Sequence, residues 1–239
     1  MKVTPYNTEE SKKQQVTRMF DAIAPKYDLL NHLLSAGIDR RWRKQAIKLL
    51  EPHSPKIILD MACGTGDFSF EALRLKPRNI VGADLSEEML AIARQKAVKK
   101  KVADSITFKK ADAERLPFKV STFDAVIVAF GVRNFEHLEK GLEEFYRVLV
   151  PGGRVVILEF SSPAAFPVKQ LYNFYFKNLL PTIGRLVSKD KKAYSYLPES
   201  VYQFPQGDAF LEILQQCGFH SVRQKKLGFG ICSIYYGEK

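Results

Sequence analysis

Runs of apolar residues alternate with amphipathic segments along most of this sequence. Helix-like apolar spacing occurs at 67–75, 87–101 and 139–149. Alternation of strands and helices with short turns predicts right-handed crossovers and a doubly wound, mostly parallel sheet. Short runs rich in apolar residues predict its strands: 56–62, 79–85, 105–111, 125–131 and 154–160.

The two ends of the chain follow other patterns. The first fifty residues have the apolar spacing of helices, most clearly over 11–23 and 39–50. After the fifth strand the regular pattern stops for about 45 residues, until segment 208–219 predicts a helix. Two final runs predict a hairpin at the sheet edge, 221–227 and 230–237.

These elements predict an α/β, Rossmann-like fold with a mostly parallel seven-stranded sheet and helices on both faces. We expect a single domain, 1–239. Its parts would be N-terminal helices, a cofactor-binding core, a helical and aromatic insert over the substrate, and a C-terminal helix with the hairpin: 1–50, 51–161, 162–206 and 207–239.

Composition limits the classes of function. The formal net charge of +11 favours a polyanionic or anionic partner, such as nucleic acid, anionic lipid or a phosphorylated ligand. Three cysteines without paired spacing and scattered histidines argue against disulfides and zinc, so we expect no metal site. The N-terminus lacks the apolar core of a signal peptide and no run is long enough to span a bilayer, so we expect a cytoplasmic protein.

A glycine-rich turn follows the first strand in the stretch LDMACGTGD, residues 59–67. Gly64 and Gly66 allow a tight turn in which backbone N–H groups can approach a ligand, although such a pair alone is equally typical of an ordinary turn. Acidic residues end or follow three successive strands, at Asp60, Asp84 and Asp112. Because these carboxylates would repel one another at one sheet edge, we expect a ligand to use them.

The pattern favours a cationic adenosine ligand without phosphate over a nicotinamide dinucleotide. Ser69 stands where the dinucleotide fingerprint has its third glycine. Asp84 lies where a carboxylate can accept hydrogen bonds from both ribose hydroxyls. The acids also occupy the place where a pyrophosphate would lie.

Together LDMACGTGD, GADLSEEML and ADAERLPF resemble the class I S-adenosylmethionine-dependent methyltransferases, over roughly residues 55–160. The resemblance implies S-adenosylmethionine as cofactor and S-adenosylhomocysteine as product. It assigns the glycine turn and first acid to the methionine side, the second acid to the ribose and the third to the adenine. The cofactor-binding residues that it implies are Asp60, Gly64, Thr65, Gly66, Asp84, Leu85, Asp112, Ala113 and Ala129.

Two longer segments, 27–42 and 147–161, resemble the signatures of the menaquinone/ubiquinone biosynthesis C-methyltransferases. With FGVRN and YSYLPESV the resemblance covers nearly the whole chain. It implies C-methylation of a prenylated quinol, above all demethylmenaquinol, with the ubiquinone-pathway benzoquinol as a second substrate. Two positions depart from the family: Asp39 replaces its usual histidine, which puts a role for that histidine in doubt, and Val150 replaces its usual lysine.

Methylation of a quinol carbon needs help with the neighbouring hydroxyl. A cation can stabilise the developing phenolate, and a base or an ordered water can take the proton. Arg133 and Asn134 follow the fourth strand and are candidates to contact that oxygen, although Arg133 stays protonated and is no base. The alternative is structural: Arg133 would pair with Glu136 or Glu159, and Asn134 would cap the next helix.

Three further residues are weaker candidates. His137 can act as the base or face solvent. Tyr194 and Tyr196 can line the quinol site or simply pack the insert. Segment 163–198 is basic and aromatic, and it can form a lid that docks on anionic lipid at the inner membrane face or pack on the core with solvated lysines.

Other functions remain as alternatives. The charge also suits an RNA or DNA methyltransferase, but FGVRN stands where N-methylating enzymes of nucleobases have an Asn/Asp-Pro-Pro-aromatic tetrad. We therefore expect no nucleic-acid partner. A methyltransferase of another phenol or a sterol is consistent with the sequence, and so is a homodimer. A purely membrane-binding module would not need acids at the strand ends.

Overall fold

A computed structural model describes residues 3–6, 8–35, 37–175 and 191–239. Seven β-strands form one sheet: β1 Ile57–Met61, β2 Asn79–Asp84, β3 Ile106–Lys110, β4 Phe123–Ala129, β5 Leu149–Phe160, β6 His220–Leu227 and β7 Cys232–Glu238. The helices of the described residues are α1 Lys12–Ser35, α2 Ile38–Lys48, α3 Asp67–Ala72, α4 Glu87–Lys99, α5 Leu138–Val148, α6 Val168–Phe174, α7 Lys191–Gln203 and α8 Asp208–Gln216.

The strand order is β3-β2-β1-β4-β5-β7-β6. Strands β1 to β5 run parallel, whereas β7 pairs antiparallel with both β5 and β6. The predicted fold and edge hairpin are confirmed. Because the chain crosses from β1 outward in both directions, a crevice forms between β1 and β4, where ligands of such sheets bind.

Both faces of the sheet are buried, as the apolar strands require. Ile58 faces a layer with Trp42 and Leu90, from α2 and α4. Leu59, the next residue of β1, faces the opposite layer, to which Phe145 of α5 and Phe210 of α8 belong. The alternating directions of neighbouring strand residues thus build one hydrophobic layer on each side.

Helix α1 is longer than the predicted segment 11–23, because tertiary contacts hold it on both sides of Pro25. Before the proline, Asp21 accepts a hydrogen bond from Ser86 Oγ at 2.5 Å. After it, Asp28 accepts from Thr65 and pairs with Lys96. The prediction of segment 11–23 used only local sequence properties, which carry no information about either contact.

Strand β5 also differs from its prediction, since it begins at Leu149 rather than after the Pro-Gly-Gly turn. The turn stays in the sheet because Gly152 donates to the carbonyl of Lys239 and Lys239 donates to that of Gly153. The pairing with β4 shifts register across the turn, from Phe123–Leu149 to Ala125–Arg154. The start of α4 is as predicted, because Ser86 Oγ accepts from Met89 N–H as an N-cap.

Candidate active site

A first cavity, the donor cavity, lies at the carboxyl ends of β1 to β4. Residues of the predicted cofactor set line it: Gly64, Asp84, Leu85, Asp112, Ala113 and Ala129. Gly64 has a φ of 54°, in the left-handed region that glycine adopts without strain. This conformation turns the backbone after β1 toward the end of β2, where Gly64 N–H donates to Asp84.

Asp84 is held by the backbone on both carboxylate oxygens. Gly64 N–H donates to Oδ2 at 2.8 Å and Ser86 N–H donates to Oδ1 at 3.0 Å. A carboxylate has about four lone-pair sites, so Asp84 can still accept from a further donor, such as a ribose hydroxyl. Burial raises the pKa of Asp84, and its backbone hydrogen bonds partly oppose the rise.

Three residues of the predicted set lie behind the wall of the donor cavity. Asp60 is fully buried and accepts from Ser69 Oγ at 2.5 Å, and its other oxygen has no hydrogen-bond partner among the described residues. Burial raises the pKa of Asp60 to about 7. Thr65 donates to Asp28, and Gly66, with a φ of 86°, begins α3.

The N-terminal helix closes the donor cavity, which the sequence did not indicate. Lys13 contributes a salt bridge to Asp112 at 2.6 Å and another to Glu114 at 3.3 Å. Lys12 donates to the carbonyls of Arg133 and Phe135, both at 2.9 Å. Only the fold brings these lysines beside residues about a hundred positions later in the chain.

A second cavity, the acceptor cavity, adjoins the first and holds about 630 Å³. This volume is within the roughly 300–1,000 Å³ of small-molecule sites. Its wall is mainly apolar and comes from α1, α2, α6, α7 and the ends of β4 and β5. Phe20, Tyr27 and Phe130 line both cavities and therefore mark their junction.

Arg133 projects into the acceptor cavity beside a buried acid. Its Nη1 lies 2.7 Å from Glu159 Oε1, and the two side chains are 7% and 0% exposed. Nη1 also donates to the carbonyl of Phe130, whose φ of 59° turns the chain at the end of β4. Burial raises the pKa of Glu159, while the Arg133 guanidinium opposes that rise. Arg133 therefore pairs with Glu159, as the structural alternative predicted, and it also lines the cavity in which a substrate could meet it.

Asn134 is tied to the insert rather than to the next helix. Its Oδ1 accepts from the hydroxyl of Tyr196 at 3.1 Å, and its Nδ2 donates to the carbonyl of Phe130 at 3.4 Å. Burial raises the pKa of Tyr196 to about 12, so this residue stays a donor at neutral pH. Asn134 lines the donor cavity and Tyr196 lines the acceptor cavity.

Two further candidates, Tyr194 and His137, are not found beside Arg133 and Asn134. The side chain of Tyr194 lies outside the part of the chain that the structure describes. His137 is exposed, lies outside the walls of both cavities, and contacts Glu114 through Nδ1 at 2.9 Å. Within the described ranges, no cluster of three or more His, Cys, Asp or Glu side chains has the arrangement of a metal site.

The strand order, the acids at the strand ends and the apolar cavity beside them define the class I methyltransferases. Solved structures support the fold: a [4+2]-cyclase, SpnF, has a TM-score of 0.68 at 18% identity, covering 96% of this chain and 97% of that one. A SAM-dependent methyltransferase of Thermotoga maritima, described as a possible histamine N-methyltransferase, has a TM-score of 0.63 at 21% identity, covering 93% and 99%.

The chain belongs to the ubiE/COQ5 methyltransferase family, whose sequence model matches residues 8–239. A demethylmenaquinone methyltransferase of Bacteroides fragilis is 48% identical over all of this chain and 98% of its own length. One of Thermus thermophilus is 49% identical, covering 92% and 100%. A ubiquinone/menaquinone biosynthesis C-methyltransferase of Geobacter sulfurreducens is 45% identical, covering 100% and 93%.

These findings confirm the predicted family and the predicted S-adenosylmethionine-dependent methyltransferase activity. The donor cavity suits this cationic adenosine ligand, since four acids line it against one cation, Lys13, among the described residues of its wall: Asp84, Asp112, Glu114 and Glu136. When bound, the cofactor supplies an electrophilic methyl group. No helix within the described ranges is long and apolar enough to cross a membrane.

Proposed function

We propose that this enzyme methylates a ring carbon of a prenylated quinol, demethylmenaquinol in particular. The observation that carries the proposal is the mainly apolar cavity beside the donor site, with buried Arg133 in its wall. An aromatic diol with an apolar tail suits such a cavity, because its rings bury apolar surface and its oxygens need polar partners. The names of the relatives from Bacteroides and Thermus support the same substrate.

Residues at the junction of the two cavities carry the proposed chemistry. Arg133 stabilises the phenolate that develops at the hydroxyl next to the reacting carbon. Asn134 and Tyr196 hold the quinol and couple the strand end to the insert. Phe20, Tyr27 and Phe130 exclude water and orient the ring toward the donor cavity, which brings carbon and methyl to reacting distance.

In the donor cavity, we assign Asp84 and Leu85 to the ribose and Asp112 and Ala113 to the adenine. Asp60 lies behind the wall of the donor cavity. It would act on the methionine side indirectly, through the glycine turn, because it accepts a hydrogen bond from Ser69 of α3, the helix that follows this turn. His137 would at most relay protons at the surface, where it contacts Glu114.

An acceptor assay tests the proposed function. Labelled S-adenosylmethionine is offered with reduced demethylmenaquinone, with a 2-polyprenylbenzoquinol, or with RNA. We expect label in the menaquinol, weaker label in the benzoquinol and none in RNA. Label in RNA alone would contradict the proposal.

We further propose that the mouth of the acceptor cavity docks on an anionic membrane surface. Phe229 and Leu171 line the cavity, yet they are 86% and 66% exposed. Phe166, just before α6, and Phe174, its last residue, are also exposed. Large apolar side chains around a cavity mouth suit a lipid surface, where the substrate's tail resides, and the net charge of +11 favours anionic headgroups.

Vesicle flotation tests the docking surface. Replacing Phe229 and Leu171 together with serine should lower binding to anionic phospholipid vesicles at least fivefold, because their apolar area no longer enters the interface. Val98→Ser and Val120→Ser form the matched control, since these residues are similarly exposed but lie outside both cavity walls. Equal flotation of both double variants would contradict this docking surface.

A further inference from the structure

The acceptor cavity has a second ion pair in its wall, formed by Asp39 and Arg43 of α2. Asp39 is 4% exposed. Ser35 Oγ donates to its Oδ1 at 2.7 Å and Arg43 Nη1 donates to its Oδ2. Ser35, Asp39 and Arg43 all line the cavity, so the carboxylate is held in one orientation at the place where we position the quinol.

The proposed chemistry needs a proton acceptor, which Arg133 cannot be because it stays protonated. Among the described residues that line the acceptor cavity, Asp39 is the only carboxylate, and none is a histidine. Glu159 has 0% exposure behind Arg133, and His137 lies outside both cavities. Asp39 is therefore the carboxylate with the most direct access to a ligand in this cavity.

We propose that Asp39 accepts the proton of the quinol hydroxyl, an inference that depends on the proposed function. Asp39 takes the proton while the O–H electron pair stays on oxygen. The ring carbon then forms a bond to the methyl group as the bond between methyl and sulfur breaks, and the electron pair of that broken bond stays on sulfur. That carbon next loses its hydrogen as a proton, the oxygen regains one, and the ring is aromatic again. The proton on Asp39 returns to water, so one proton is released per methyl transferred.

The two buried arginines make this transfer feasible. A free phenol has a pKa of about 10 and a carboxyl one of about 4, so the phenolate must be stabilised strongly. Arg43 and Arg133 line the same cavity, and Arg43 Nε has no partner among the described residues. As the proton moves, negative charge passes from Asp39 to the quinol oxygen and stays near both cations.

Other titratable groups of the cavity do not interfere with an acid limb from Asp39. Besides the two arginines, they are tyrosines whose pKa burial raises: Tyr27, Tyr172, Tyr175 and Tyr196. None of these groups changes charge between pH 4 and 8. Asp60, outside this cavity, titrates in the same range with a pKa of about 7, so the acid limb is assigned to residue 39 by its shift between the wild type and Asp39→His.

Two variants at this position test the role through turnover and its pH dependence. Asp39→Asn should lower kcat with demethylmenaquinol about 100-fold or more, and leave the dissociation constant of S-adenosylmethionine within twofold. Asp39→His, which replaces one base by another, should recover at least tenfold over Asp39→Asn. Its acid limb should lie about two pH units higher, toward the pKa of imidazole. Exposed Asp208→Asn is the control and should match the wild type.

A second readout needs no methyl donor. A 3-alkyl-4-methoxy-1-naphthol resists oxidation, and its free hydroxyl lies next to the unsubstituted carbon that corresponds to the reacting one. It is bound to each protein and its ionisation is followed by absorbance against pH. If Asp39 lies beside the hydroxyl, its negative charge disfavours a bound naphtholate, so Asp39→Asn should lower the apparent pKa of the bound naphthol by at least one unit. A residue that only supports the fold would leave this pKa unchanged.

Near-wild-type kcat in Asp39→Asn would overturn the inference, as would an unchanged naphthol pKa. A folded Asp39→His protein whose kcat is no higher than that of Asp39→Asn would also overturn it. If Asp39→Asn does not fold, the acid limb of Asp39→His decides. Failure of the wild type to methylate demethylmenaquinol would instead overturn the proposed function, and this inference with it.

Discussion

Arg133 has two kinds of contact that are usually alternatives. Its guanidinium is paired with fully buried Glu159, and it also forms part of a ligand cavity. The pair neutralises a charge that would otherwise be costly in an apolar wall. It also fixes the guanidinium before a substrate arrives, which is how a preorganised cation stabilises a developing phenolate.

Arg133→Lys should nearly abolish turnover and leave the affinity for S-adenosylmethionine within a few fold. A lysine Nζ that kept both contacts of Arg133 Nη1, to Glu159 and to the carbonyl of Phe130, would lack the other guanidinium N–H groups, which we assign to the phenolate. Steady-state kinetics and calorimetry measure the two effects. Arg154→Lys is the control, since Arg154 of β5 pairs with Glu238 of β7 and lies outside both cavity walls. Full activity of Arg133→Lys would refute the role of this residue.

Asp84→Ala should raise the dissociation constant of S-adenosylmethionine tenfold or more. The substitution removes the carboxylate that we assign to the ribose and the acceptor of the Gly64 and Ser86 N–H groups. Titration calorimetry measures the constant, with exposed Asp104→Ala as the control. Unchanged binding would show that the ribose lies elsewhere.

At the scale of elements, the turn after β4 positions the candidate catalytic residues. Its approach to the turn after β1 is close, since a Cβ on Gly131 would lie 2.6 Å from Ala62 Cβ. Ala62 and Phe130 both have positive φ values, 54° and 59°, which cost energy in residues other than glycine. Strained backbone therefore occurs on both sides of the crevice, where β1 and β4 meet.

Gly131→Ala should destabilise the protein by about 1–3 kcal/mol and lower kcat, because the added methyl group displaces the turn that carries Arg133. Ala62→Gly in the same chain removes the opposing Cβ and should restore much of both. Denaturant unfolding and kinetics on the four proteins of this double-mutant cycle measure the coupling. Additive effects would mean that the two turns do not press on each other.

At the scale of the whole molecule, stability should depend on the protonation of Asp60. Its pKa is raised to about 7, so between about pH 4 and 7 the native state holds a proton that the unfolded chain has lost. Stability is therefore lost as the pH rises through this window, at about 1.4 kcal/mol per pKa unit and about 4 kcal/mol at most. Asp84 and Glu159, whose pKa values burial also raises, add to the same trend.

Asp60→Asn should remove this part of the pH dependence, because an amide does not titrate. Unfolding by urea at pH 4.5, 6 and 7.5 without cofactor gives the free energies to compare. Asp104→Asn, on the surface, should keep the wild-type slope. A slope in Asp60→Asn that equals the wild-type slope would contradict the raised pKa.

The sequence by itself determined the alternation of strands and helices, the acids at the strand ends and the glycine turn, because each is a local pattern formed by residues close together in the chain. It also placed Arg133 and Asn134 at the end of β4. Tertiary structure alone decided which residues cover the carboxyl ends of the strands. Helix α1 brings Lys13 to Asp112, and α2 brings Asp39 and Arg43 into the acceptor cavity. These are contacts between distant segments, fixed by packing, and no local period encodes them.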